Sequence, residues 1–133
     1  MKIFNQSILF LFCLSALTDS HKITTSSGIT EGQISNKVIT WHDIPYAQPP
    51  IDDLRWKAPR KMMKNSNIIK SKVNNFCIQR TSSFGGSGDY SNESISGTED
   101  CLYLDIHAPS KKFKKLLPVM FWIHGGSNTS GLK

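Results

Sequence analysis

Residues 118–127 read Pro-Val-Met-Phe-Trp-Ile-His-Gly-Gly-Ser. An uninterrupted apolar run, Val119-Met120-Phe121-Trp122-Ile123, stands between a proline and a pair of glycines. An amphipathic helix would break such a run with polar residues at 3.6-residue spacing, and a half-buried strand would alternate. The stretch therefore predicts a short strand covered on both faces, as in the parallel core of an α/β protein. Where the run ends, Gly125 and Gly126 leave peptide N–H groups unshielded by side chains and free to converge on an anionic oxygen. His124 beside them reads, taken alone, as a structural histidine more readily than as a general base.

Toward the amino terminus, residues 101–107 (CLYLDIH) alternate apolar and polar from Leu102 to Ile106 and predict a half-buried strand. Between the two strands, Lys111, Lys112, Lys114 and Lys115 surround Phe113. A solvated connection accounts for this cluster; nucleic-acid recognition would need more basic residues, flanking aromatics or a recognisable module. Further back, residues 23–25, 29–34 and 38–41 are rich in β-branched and apolar side chains. The turn formers Ser26-Ser27-Gly28 and Ser35-Asn36 separate them, and together they predict a small antiparallel meander. Pro45, Pro49 and Pro50 follow closely and predict a rigid, irregular connection, since proline suits neither a helix interior nor a central strand.

The chain has 133 residues, 38% hydrophobic, 10% aromatic and 20% charged, enough for the core of one modest domain and unlike a disordered, collagenous or multi-span membrane chain. The net charge of +6 comes mostly from scattered lysine and gives little support for a nucleic-acid partner. Residues 8–17 (ILFLFCLSAL) follow Lys2 and precede the small and polar Thr18 and Ser20, so residues 1–20 read as a secretory signal peptide and residues 21–133 as the mature domain. The apolar run is well short of the roughly 20 residues that span a bilayer, no later segment comes closer, and no membrane span is expected in this chain.

Cys13 would leave with the signal peptide. Cys77 and Cys101 would then meet an oxidising compartment, and one disulfide is expected. It would close a loop rich in Ser and Gly that cannot order itself by burial, a constraint worth about 3.5 kcal/mol on the chain-entropy estimate. Paired CxxC or HxxxH spacing is missing, so no metal site is expected. Asn92-Glu93-Ser94 and Asn128-Thr129-Ser130 fit the N-glycosylation pattern; Asn92 is the expected acceptor, because a glycan at Asn128 would obstruct the Gly-Gly loop.

Four stretches resemble the type-B carboxylesterase and cholinesterase family of the α/β-hydrolase fold, in the family's order. Residues 41–50 (WHDIPYAQPP) are similar to F-x-G-I-P-Y-A-x-P-P, and Leu54-Arg55-Trp56 with Pro59 to L-R-F-x-x-P. Residues 98–106 (TEDCLYLDI) are similar to S-E-D-C-L-Y-L-N-I, and residues 118–127 to the strand and HGG loop of the family's oxyanion hole. The implied fold class is α/β: the amino-terminal part of an α/β-hydrolase, an antiparallel meander leading into the central mixed sheet, incomplete.

The resemblance also implies roles. Cys77 and Cys101 match the family's first disulfide, and Arg55 and Glu99 a structural ion pair. The backbone N–H groups of Gly126 and Ser127 match oxyanion donors, with Ser127 in place of a third glycine and able to narrow the acyl pocket. Asp43 and Asp52 replace glycines, and Asn128 stands where an aromatic is common. A nucleophilic serine would lie in G-x-S-x-G, followed by an acid and a histidine. Gly85-Gly86-Ser87-Gly88-Asp89 and Gly125-Gly126-Ser127-Asn128-Thr129 both fail at the last position, and the family's elbow lies downstream of the HGG loop.

The expectation is an amino-terminal piece of a secreted serine esterase acting on a small carboxylic ester. The triad would lie outside these residues, the piece itself would be inactive, and residues 119–123 would lack strand neighbours. Two alternatives remain: a non-catalytic, neuroligin-like adhesion protein, and a cholinesterase. The latter would hold a quaternary ammonium against a tryptophan between the first two cysteines, where this chain has Phe84 and Tyr90 but no Trp.

Overall fold

The structure, a computed structural model, describes residues 21–72, 75–80 and 95–133. The expected signal peptide (residues 1–20), Asn92, Phe84 and Tyr90 lie outside the described residues. Four strands form one antiparallel sheet in the order β1-β2-β3-β6, with β1 at His21–Thr25, β2 at Gly28–Ser35, β3 at Val38–Pro45 and β6 at Tyr103–Pro109. A second, two-stranded ladder pairs β4 (Gln79–Arg80) with β5 (Ile95–Ser96).

The meander follows from its turns. Thr25 pairs with Gly28 across a two-residue turn, and Ser35 pairs with Val38 across Asn36-Lys37. Asn36 and Lys37 both adopt left-handed backbone (φ 48° and 66°), the conformation whose twist matches a tight hairpin. β6 then returns beside β3, with Val38 opposite Pro109 and Pro45 opposite Tyr103.

One face of this sheet carries the core. Ile39, Trp41 and Ile44 are buried, with Ile23, Leu104 and Ala108 packed against them. Trp41 buries its ring without losing its donor, because Nε1–H donates to the carbonyl of His21 at 2.7 Å. Gly32 makes room for that ring: a Cβ there would lie 2.5 Å from Ile39 Cγ2 and 2.7 Å from Trp41 Nε1. The far end of β2 turns from β3 to the segment around Asn67, where Ile29 N–H donates to Asn67 O at 2.9 Å and Ile69 N–H to Ile29 O at 2.7 Å.

Two expectations need correction. β3 runs through Ile44 to Pro45, where an irregular connection was expected. Proline is tolerated because it ends the strand, and its carbonyl is used, accepting from Ser27 Oγ at 2.7 Å. Residues 119–123 are not covered on both faces: they join no strand, and Val119 is 92% and Ile123 76% exposed. A strand buried on both sides needs neighbours on both sides, and the described strands supply none to this segment.

Packing at Gly32 gives a direct test. Gly32→Ala is expected to lower the unfolding free energy by about 1–3 kcal/mol, because the clash is with ring and branched carbon atoms inside the core. Gly125→Ala meets no atom within 4 Å and is expected to stay within about 0.5 kcal/mol of the parent. Urea titration of the two variants compares them; equal midpoints would contradict this packing.

Candidate functional site

The chain leaves its exposed apolar run and enters a compact loop at residues 124–131. Gly126 (φ 128°), Ser127 (φ 53°) and Asn128 (φ 59°) are all left-handed. Only glycine fits the first position, since a Cβ would collide with the carbonyl of Ser130. The Gly126 carbonyl turns inward and accepts from Thr129 N–H at 2.9 Å, Ser130 N–H at 3.1 Å and Thr129 Oγ at 3.0 Å. Among the described residues, none accepts a hydrogen bond from the N–H of Gly125, Gly126 or Ser127. The loop thus spends its acceptor internally and leaves donors unspent, an arrangement suited to an anionic oxygen. Ser127 holds a backbone conformation that costs an L-residue roughly 1–2 kcal/mol relative to glycine.

Below the loop lies a polar network centred on a bulge. Trp41 pairs with Ile106 and Ile44 with Leu104, so His42 and Asp43 together face Asp105 alone. The Asp105 carboxylate spans the irregularity, accepting from His42 Nδ1–H at 2.8 Å and from Asp43 N–H at 2.9 Å. Asp43 adopts φ 62° and Asp52 φ 48°, so aspartate keeps the left-handed backbone at both positions where the resembled pattern has glycine. Aspartate is among the few residues that tolerate this conformation.

The Asp43 side chain, only 3% exposed, is surrounded by donors: Ser71 Oγ at 2.7 Å, Lys72 N–H at 2.8 Å, Asn75 Nδ2 and Lys133 Nζ at 2.7 Å. Burial alone would push its carboxyl upward. Lys133, Ser71, the Lys72 amide and Asn75 together outweigh burial and bring the carboxyl to about 2. Asp105 follows the same pattern, with burial opposed by Lys133, the Asp43 amide and His42, and its carboxyl is also lowered. Lys133 Nζ lies 2.5 Å from Asp105. For Lys133, burial opposes the charge, but the two carboxylates prevail and its ammonium is raised.

The other sequence-derived positions fall nearby. Cys77 and Cys101 form a disulfide with Cα atoms 4.9 Å apart. Gly97 (φ 104°) closes the same base, where a Cβ would lie 2.7 Å from the carbonyl oxygens of Phe76 and Cys77. Arg55 Nη2 meets Glu99 Oε2 at 2.6 Å, with both side chains substantially exposed. Next to it, Lys72 Nζ contacts Asp100 and the Tyr103 hydroxyl, each at 2.5 Å. Neither the disulfide nor the ion pair touches the glycine loop. Sequence reasoning missed the residues that do: the Gln79 side chain grips the backbone of Gly131, accepting from its N–H at 2.8 Å and donating to its carbonyl at 2.9 Å. Lys133 was missed too, although two acids at a glycine and an asparagine position were a signal that a cation lies between them. Among the described residues, no group of three or more His, Cys, Asp or Glu could hold a metal, and no helix is long and apolar enough to cross a membrane.

The Asp43 carboxylate generates a pH prediction. Its pKa is depressed from 3.8 to about 2 on folding, so the stabilisation is complete above about pH 4 and is lost as pH falls toward 2. That loss amounts to about 2 kcal/mol for this carboxyl. Asp43→Asn should therefore be less stable at pH 7 and show a shallower loss between pH 4 and 2 in urea titrations. Parallel curves for the two proteins would contradict this role.

Comparison with known proteins bears on the family of the chain. Residues 19–133 match the model of the carboxylesterase family. A juvenile hormone esterase of Tribolium castaneum is 38% identical over 128 residues, covering 90% of this chain and 21% of that protein. A venom carboxylesterase-6 of Apis mellifera is 39% identical over 89 residues, 65% of this chain and 15% of that protein. The solved structure of a thermophilic PNB esterase superimposes with a TM-score of 0.67 at 36% identity, over 83% of this chain and 22% of that one. The chain thus spans about a fifth of the length of the relatives it matches. On the family match over residues 19–133 and these likenesses, the chain belongs to the carboxylesterase family and carries part of the α/β-hydrolase fold.

Proposed function

We propose that this chain is the amino-terminal part of a secreted serine carboxylesterase, contributing the oxyanion donors to an active site completed by residues beyond Lys133. The observation that carries this reading is the loop itself: left-handed Gly126 and Ser127 with unspent N–H groups, directly after an apolar segment. In the complete enzyme a serine alkoxide attacks the ester carbonyl, and negative charge develops on the former carbonyl oxygen. The N–H groups of Gly126 and Ser127 meet that charge, and a preorganised donor of this kind typically contributes about 3 kcal/mol. A histidine takes the serine proton and returns it to the leaving alcohol, and an acid orients the histidine. Because the donor is backbone, serine serves at position 127 as glycine would, with its side chain narrowing the acyl side. The reaction needs no metal or organic cofactor.

Secretion is part of the same proposal. Residues 1–20 have the charge, apolar stretch and small-residue end of a signal peptide. A Cys77–Cys101 disulfide suits an oxidising compartment, and a venom carboxylesterase is among the relatives. Asn92 would carry a glycan. Arg55 and Glu99 would tie the proline-rich segment to the strand that follows Cys101. A non-catalytic adhesion role is the second reading; Ser127 in the HGGS loop is the residue that favours it.

The isolated 133-residue chain, purified with its disulfide intact, is expected neither to hydrolyse a p-nitrophenyl ester nor to react with an organophosphate. The open reading frame extended past Lys133 is expected to encode G-x-S-x-G, then an acid and a histidine. Turnover by the isolated chain would overturn the division of labour, and an extended frame with a replaced serine would favour adhesion.

A further inference from the structure

The unspent amides can serve an oxyanion only if they are held in place, and the described residues hold them in an unexpected way. Ahead of the loop, residues 119–123 are exposed and pair with nothing described. Within it, His124 Nδ1 lies 2.8 Å from Gly125 O and the His124 ring lies against Gly131 at the loop's exit, while a Cβ on Gly125 would face open space. The loop therefore gets its position from its exit, residues 131–133.

Two contacts fix that exit. Gln79 is buried, and its carboxamide is fully committed: Nε2 donates to Cys77 O at 3.1 Å and to Gly131 O at 2.9 Å, while Oε1 accepts from Gly131 N–H at 2.8 Å. The Cys77 bond fixes which end of the amide is nitrogen, so the group reads the Gly131 peptide as a neighbouring strand would. Neither leucine nor glutamate can do both. Gly131 (φ 146°) is the residue that can pass here, because a Cβ would strike the His124 ring. Two residues later, Lys133 Nζ bridges Asp43 at 2.7 Å and Asp105 at 2.5 Å, anchoring the exit to the β3 bulge.

The geometry points to Gln79 and Lys133 as positioning residues, a two-point clamp that sets where the Gly126 and Ser127 amides stand relative to the sheet and the disulfide arm. The functional sense of this inference rests on the reading of residues 125–127 as oxyanion donors; the clamp itself does not. Gln79 is two residues from Cys77, so the clamp joins the loop to the covalently closed base of the disulfide arm, and Lys133 joins it to the buried carboxylate of Asp43. Donors placed this way keep their geometry before an ester arrives, which is what transition-state stabilisation by fixed dipoles demands.

Amide hydrogen exchange and amide chemical shifts of the intact, disulfide-bonded chain test the clamp without reference to turnover. In Gln79→Leu the Gly131 amide should exchange at least tenfold faster, the Thr129 and Ser130 amides should follow, and the Gly126 and Ser127 resonances should shift. The β3–β6 ladder amides serve as the control for folding. Lys133→Met should shift the same two resonances and Lys133→Arg should restore them, which keeps the test decisive if Gln79→Leu loosens the ladder. Release of Gly131 with unchanged Gly126 and Ser127 signals, or equal spectra for Lys133→Met and the parent, would overturn the clamp. Failure of the esterase reading would appear separately, as an extended protein with normal exchange and no ester hydrolysis.

Discussion

The arrangement turns on a single irregularity, the bulge at which His42 and Asp43 face Asp105. A regular ladder would direct position 43 along the pleat. The left-handed Asp43 instead sends a carboxylate down into the space where the segment before Cys77 passes and where the chain returns after the glycine loop. Ser71, the Lys72 amide, Asn75 and Lys133 all reach it. A buried carboxylate without such partners would cost several kcal/mol. Once they are present, the same group ties two separate parts of the chain to one point of the sheet. The Asp105 carboxylate makes this possible by satisfying the backbone N–H that the bulge would otherwise strand.

The apolar segment at 119–123 is the counterpart of this ordered corner. Its side chains can gain the hydrophobic stabilisation of a central strand only when other strands lie beside it. In the described structure it stands exposed, with lysines at 111, 112, 114 and 115 upstream as the flanking charge. Such a run is prone to edge pairing with other chains. The glycine loop that follows is ordered all the same, since its internal turn uses the Gly126 carbonyl and its exit is held by side chains. Loop geometry and strand burial are therefore separable here: the first is encoded locally, the second depends on neighbours.

What could be read from sequence divides along the same line. The meander was legible because its β-branched runs alternate and its turns carry Ser, Gly and Asn, so local chemistry and final structure agree. Residues 119–123 read as a strand in need of cover on both faces; they form no strand here, and their exposure agrees with the expectation that this piece would leave them without neighbours, because a continuous apolar run reports the need for cover, not its presence. Pro45 was misread as ending strand structure early, because proline's rule concerns the interior of a sheet and this proline closes a strand. Asp43 and Asp52 depart from the glycines of the resembled pattern, yet both keep the left-handed conformation that glycine would supply. Gln79 left no trace in composition or spacing: one carboxamide facing one peptide from 52 positions away is a purely tertiary fact.

The central claim is that the amides of Gly126 and Ser127 are presented to a developing oxyanion. The most direct measurement is a crystal structure of the protein extended past Lys133 and inhibited covalently by a phosphonate ester. The account predicts a phosphonyl oxygen about 3 Å from both nitrogens, the distance of a charge-assisted hydrogen bond, with the loop turned as it is here. A phosphonyl oxygen held by other groups, with these two amides facing elsewhere, would contradict it.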